Sequence, residues 1–99
     1  MQQAKSQRKP MIIYFRKEGF LKCAEFETSV LMSDEFNALA QNFTCMFEDL
    51  TQEPLLAYHY GIVRIPHIEI LDANGERSAH FTFDIPLSSL SQAMKNCPK

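Results

Sequence analysis

The stretch Tyr60-Gly61-Ile62-Val63-Arg64-Ile65-Pro66, followed by Ile68-Glu69-Ile70-Leu71-Asp72 and then by Asn74-Gly75, sets a helix end, a strand and a turn in close succession. Gly61 ends a short helix begun at Glu53-Pro54, because glycine takes the left-handed geometry of a helix terminus and proline suits a first turn. Residues 65–71 form an apolar strand. Asp72-Ala73-Asn74-Gly75 has the composition of a hairpin turn, since Asn and Gly accept positive φ, so residues 77–83 should return as an antiparallel strand.

Upstream, residues 11–15 are a continuous apolar run opened by Pro10 and closed by Arg16-Lys17-Glu18-Gly19, the pattern of a strand buried on both faces beneath helices. From Phe20 the period changes. Cys23, Phe26 and Val30 recur at helical spacing, with Lys22, Glu25 and Glu27 between them, and Gly19 marks the helix entrance. Ser33 is a good N-cap for a second helical segment, with Asp34 and Glu35 in its first turn and Phe36, Leu39, Ala40 and Phe43 as its apolar stripe. A short strand is expected over 44–47. At the other end, Asp84 is expected to cap a last helix that carries Leu87, Leu90 and Met94 on one face and Pro86 in its first turn.

The composition bounds the function. A chain of 99 residues, 45% hydrophobic and 22% charged, makes one folded domain, read as a leading segment over 1–9 and a domain over 10–97. With ten basic and twelve acidic residues the formal charge is -2, so nothing suggests a nucleic-acid partner. No apolar run approaches the roughly 20 residues of a membrane span, and the polar start lacks the apolar stretch of a secretory signal. A cytoplasmic protein with no membrane partner is expected, unless a signal segment has been removed. Three cysteines, Cys23, Cys45 and Cys97, are odd in number and widely spaced, which describes neither a disulfide framework nor a metal knuckle. His59, His67 and His80 lie on separate segments, and only His67 is expected to approach Cys23, so no metal and no cofactor are expected.

The resulting order is strand, helix, strand, helix, strand, strand, helix: an α/β chain with two parallel strands joined through helix, then a hairpin and a closing helix. It resembles the core of the thioredoxin fold, a four-stranded mixed sheet flanked by helices. The residues from Tyr60 to Pro66, the strand after them and Asn74-Gly75 are similar to the family's helix end, Ile-Pro loop, strand and turn. Lys9-Pro10, Cys23, Glu27, Val30, Leu31, Asp34 and the strand after Phe43 look more narrowly like short thioredoxin-like domains related to thiol-disulfide interchange proteins. The resemblance runs from about Lys9 to Asn96, and the length matches such a core without most of the usual first strand and helix.

The resemblance implies that Pro66 is the cis proline facing the active site; read from its residues alone, Ile65-Pro66 favours a trans proline that starts an edge strand. It also implies a C-x-x-C motif between first strand and helix. Placed without gaps, that motif reads Phe20-Leu21-Lys22-Cys23, with Cys23 at the second position and no attacking thiol at the first. Gly19 stands where many members have tryptophan, and Tyr14 where they have a buried acid on the first strand. Dithiol exchange needs one sulfur to attack and another to resolve the mixed disulfide. Cys45, expected to point along a central strand, and Cys97, beyond the last helix, are poorly placed to supply the second.

The expected function is therefore a thioredoxin-like protein with weak or no dithiol-disulfide activity, which binds peptide or protein partners, cysteine-containing ones included, at Phe20, Leu21, Lys22, Ile65 and Pro66. In the opposing reading Phe20 and Leu21 fold back over the helix and expose nothing. The enzymatic alternative is a monothiol thiol-disulfide oxidoreductase in which Cys23, near Lys22 and a helix start, is the catalytic residue and exchanges with an external thiol. A third reading is a purely structural domain of a larger protein.

Overall fold

The computed structural model describes residues 9–52 and 54–97. The leading segment expected over 1–9 therefore falls, apart from Lys9, outside the described residues, as does Glu53 at the expected start of the third helix. The chain forms β1 (Met11–Arg16), α1 (Leu21–Phe26) running on into a π-helical turn (Glu27–Leu31), α2 (Asp34–Ala40), β2 (Thr44–Asp49), α3 (Pro54–Tyr60), β3 (His67–Leu71), β4 (Arg77–Thr82) and α4 (Leu87–Asn96). The four strands make one mixed sheet in the order β2-β1-β3-β4. β1 pairs parallel with β2, in a register that sets Met11 beside Thr44, and antiparallel with β3, setting Phe15 beside His67.

Alternation along β1 assigns its side chains to two cores. Ile12 and Tyr14, with Ile68 and Ile70 of β3, pack against Phe26, Val30 and Leu31, Phe36 of α2, and Leu90 and Met94 of α4. Met11, Ile13 and Phe15 face the other side, where Leu50, Leu56, Ala57 and Tyr60 cover them. All five residues from Met11 to Phe15 are buried, which suits their unbroken apolar run. Each fully buried isoleucine contributes roughly 1.5–3 kcal/mol relative to remaining exposed.

Several expected boundaries shift for local reasons. β3 begins at His67 and not at 65, because residues 65–66 form the loop before it, and β4 stops at Thr82, because Phe83 turns out of the strand at φ 65. β2 extends to Asp49, whose carboxylate caps the following turn by accepting from the Thr51 N–H at 2.8 Å. Ser33 does cap α2, its Oγ accepting from the Phe36 N–H at 3.1 Å. Asp84, by contrast, does not cap α4: Pro86 holds the N-cap position without a side-chain hydrogen bond, and Asp84 pairs with Lys22. Beyond α1 the helix widens, with the Met32 N–H reaching back five residues to the Glu27 carbonyl, while Thr28 and Ser29 donate their hydroxyls to the carbonyls of Ala24 and Glu25.

Candidate functional site

The turn after β1 delivers Phe20 to the N-cap of α1, with Gly19 at φ 85 just before it. No side chain caps this helix, and the Phe20 ring is 47% exposed, so it does not fold back over the helix end. Leu21 is also exposed. Three residues after Phe20 the helix turns inward, and Cys23 is fully buried against Tyr14. The Tyr14 hydroxyl donates to Glu27 Oε2 at 2.9 Å, and the same oxygen accepts from Arg16 Nε at 2.7 Å. Burial, then the bond to Glu27 and the neighbouring Cys23, pushes the Tyr14 phenol well above its ordinary range. Arg16 also reaches Asp49 at 3.0 Å, so one guanidinium ties β1 to both the π-helical turn after α1 and β2.

Opposite the start of α1 lies the loop before β3, in which the Ile65–Pro66 peptide is cis and Pro66 is fully buried. The Pro66 carbonyl accepts from the Phe83 N–H at 2.7 Å, and the Arg64 carbonyl accepts from Thr82 Oγ1 at 2.9 Å, so the end of β4 holds the loop in place. Phe83 then presents its ring to two cations, the Arg64 guanidinium at 3.6 Å and Lys22 Nζ at 4.8 Å from the centroid. Between these parts is a cleft of about 380 Å³. Lys17, Phe20, Lys22, Arg64 and Phe83 stand around it, and Leu50, Ala57, Ile62 and Ile65 supply much of its apolar surface. A smaller cleft of about 260 Å³ continues past Lys22 and Phe83 toward Ser29 and Pro86.

Phe20, Lys22 and Ile65 thus meet at one cleft, whereas Leu21 and Pro66 are not among its lining and Cys23 is enclosed. Sequence reasoning missed Lys17, Val63, Arg64 and Phe83. Val63 and Arg64 are adjacent to the Ile-Pro loop and could have been inferred from it, but Phe83 was assigned to a strand end, and its turn outward depends on its bond to Pro66. The other sulfurs lie elsewhere. Cys45 is exposed and sits on β2, an edge strand and not the central one expected; Cys97 is buried after α4.

His67 does not approach Cys23. Tyr14 and Ile68 point to one face of the sheet, and Phe15 and His67 to the other, so the sheet separates the imidazole from a sulfur that packs on Tyr14. His67 Nε2 instead donates to Glu69 Oε2 at 2.6 Å, and Arg77 grips both Glu69 oxygens at 2.7 and 2.9 Å. Burial opposes ionisation of Glu69, but the hydrogen bonds from His67 and Arg77 outweigh it and hold this carboxyl below its ordinary range. His80 brings a third ligand-type side chain, with ligand atoms of His67, Glu69 and His80 all within 4.8 Å of one another. These three are the group among the described residues that could converge on a metal ion, yet Arg77 already supplies Glu69 with its counter-charge.

A parallel β1–β2 pair connected through α1 and α2, a β3–β4 hairpin, a closing helix, and a first-helix N-terminus set against an Ile-Pro loop define the thioredoxin fold. Solved structures agree. The chain superposes on a thioredoxin from Thermus thermophilus with a TM-score of 0.81 and 16% identity, covering 93% of this chain and 75% of that one. The DsbH oxidoreductase gives a TM-score of 0.78 at 19% identity, covering 96% and 78%. For the reduced C-terminal domain of Neisseria meningitidis DsbD the values are 0.75 and 15%, covering 97% and 92%. Comparison with curated proteins finds no match. The family model described as thioredoxin-like matches residues 1–73, and the chain belongs to that family, with a fold related to thiol-disulfide interchange proteins.

Proposed function

We propose that this protein holds an extended peptide or protein segment in the cleft between Phe20 and the Ile65-Pro66 loop, with weak or no dithiol-disulfide activity of its own. The observation that carries this reading is a cleft that is open where the sulfur is closed. Phe20 stands exposed at the helix start beside a cavity of about 380 Å³, while Cys23 is fully buried. The backbone N–H and C=O of Ile65, on the cleft wall, have no hydrogen-bond partner among the described residues, so they are free to pair with an added strand. Thioredoxin, DsbH and DsbD, the similar structures, carry names of redox proteins, and in the family's motif a first cysteine stands where this chain has Phe20. Losing that thiol removes the attacking group and leaves the groove. Monothiol exchange through Cys23 would require its sulfur to leave its packing on Tyr14.

The test is fluorescence anisotropy with a labelled, permanently unfolded peptide. Phe20→Asp should weaken binding by about tenfold or more, as expected for loss of an aromatic anchor, and Cys23→Ala should leave it unchanged. Insulin reduction in the presence of glutathione that is robust in the wild type and absent in Cys23→Ala would overturn this reading in favour of a monothiol enzyme.

A further inference from the structure

We propose that the segment taken up in this cleft is acidic, with Asp or Glu side chains flanking an apolar anchor. This rests on the peptide-binding reading above and adds the chemistry of the ligand. The chain as a whole has more acids than bases, with a formal charge of -2, yet among the described residues the cleft is lined by Lys17, Lys22 and Arg64 and by no Asp or Glu. That local reversal of sign is not a by-product of internal ion pairing. Arg16 is committed to Glu27 and Asp49, and Arg77 to Glu69, whereas Arg64 has no carboxylate partner among the described residues and lies on the Phe83 ring. Lys17 likewise has no carboxylate partner among them and sits 5.8 Å from the Phe20 ring centroid. Lys22 does pair with Asp84 at 3.0 Å, but the Asp84 side chain is 84% exposed, so an incoming carboxylate can compete for that ammonium at little cost.

The aromatic rings also restrict where the charges can go. A cation resting on Phe20 or Phe83 loses less rotamer freedom when a ligand arrives than one moving freely in water, which favours binding by pre-organisation. Arg64 can engage a carboxylate through two parallel N–H bonds, whereas the two lysines act as point charges. Leu50, Ala57 and Ile62 offer an apolar surface in the same cleft. The complementary ligand is therefore an extended chain with one apolar side chain in the cleft and carboxylates directed at its cationic surroundings.

Three rhodamine-labelled peptides with the same apolar centre, flanked by Glu, Gln or Lys, would be titrated with the full chain at low and high salt. The Glu peptide should bind about tenfold or more tighter than the Lys peptide at low ionic strength, and the difference should shrink to about twofold near 0.5 M salt, where the Debye length is only a few Å. Lys17→Gln should weaken the Glu peptide several-fold and leave the Gln peptide unchanged, and Arg64→Gln should weaken the Glu peptide more than the Gln peptide; Lys17→Gln keeps the Phe83 stack intact and so separates charge from shape. Equal affinity for the Glu and Lys peptides would overturn the acidic preference and leave the peptide cleft standing. Failure of all three peptides to bind would overturn the cleft reading itself. Displacement of the Glu peptide by single-stranded oligothymidylate at lower concentration than by unlabelled Glu peptide would assign the cations to a nucleic acid and overturn the proposal.

Discussion

Cys23 and Cys45 carry the same thiol in opposite settings, and the contrast gives a direct chemical test of the site. Alkylation requires a thiolate that the reagent can reach. Cys45 is exposed on an edge strand, although desolvation raises its thiol above the ordinary range against the opposing charge of Lys9; Cys23 is fully buried against Tyr14, and Cys97 is buried, with burial raising its thiol likewise. Iodoacetamide at about pH 8, near the free-thiol value, should therefore add first to Cys45 in the folded protein, at a rate that climbs with pH because its thiol is raised, and reach Cys23 and Cys97 only when the chain opens. Intact-mass spectrometry should show one fast adduct that disappears in Cys45→Ser, and three adducts in denaturant. Peptide mapping that finds Cys23 labelled as fast as Cys45 would show that its sulfur is not enclosed. The inward direction of Cys23 was legible in the sequence, because it shares helical spacing with Phe26 and Val30. The exposure of Cys45 was not, because the difference between an edge and a central strand lies in non-local pairing: β2 has β1 on one side and no strand on the other.

At the scale of elements, the β3–β4 hairpin shows which features can be read from neighbouring residues and which arise from register. Its turn was legible. Asp72 Oδ1 accepts from the N–H groups of Asn74 and Glu76, and Gly75 sits at φ 88, as the Asp-Ala-Asn-Gly composition suggests. The irregularity after Ile70 was not legible, and it sets Arg77 opposite Leu71, close enough to clamp Glu69. A residue that reads as one polar position in an apolar strand thereby becomes the anchor of the hairpin. Because the folded-state carboxyl is held below its ordinary value of 4.5, it contributes stability that is present above that pH and is lost as the pH falls through the lowered value. Glu69→Gln should cost about 2–3 kcal/mol at pH 7, less than a fully buried pair because the Arg77 side chain is 46% exposed. Urea unfolding curves should show the gap from wild type closing as the pH drops below the ordinary value of 4.5 and through the lowered value of the native carboxyl, which then takes up its own proton. A gap that stays constant down to pH 3 would mean that shape, and not charge, is what Gln disturbs.

For the whole molecule, the two faces of the sheet are unequally covered, and this decides where it opens first. The Ile12 and Tyr14 face carries the larger core beneath α1, α2 and α4, whereas the Met11 and Phe15 face is covered by α3, a helix with no fully buried residue. Leu55 and Tyr58 of α3 are 80% and 84% exposed. This weak anchoring was not visible in the sequence, where Pro54 and Gly61 mark the helix but cannot show how much of it meets the sheet. Free energies of local opening follow the apolar contact that each element would lose. Backbone amides of β1 and β3 should exchange with solvent only through global unfolding, and those of α3 about a thousandfold faster through local opening. The functional link is that Pro54 and Ala57 of this same helix line the cleft. A peptide bound between Phe20 and the Ile65-Pro66 loop should slow exchange in α3, if opening of this helix releases it, and should slow β1 by the same factor, because β1 exchanges only through global unfolding and that also releases the peptide; α3 should remain the faster of the two at every concentration. Hydrogen exchange read by mass spectrometry at several peptide concentrations would measure both effects. If α3 exchanges in step with β1, the molecule opens as one cooperative unit, and the cleft must then be a rigid surface with no mobile wall.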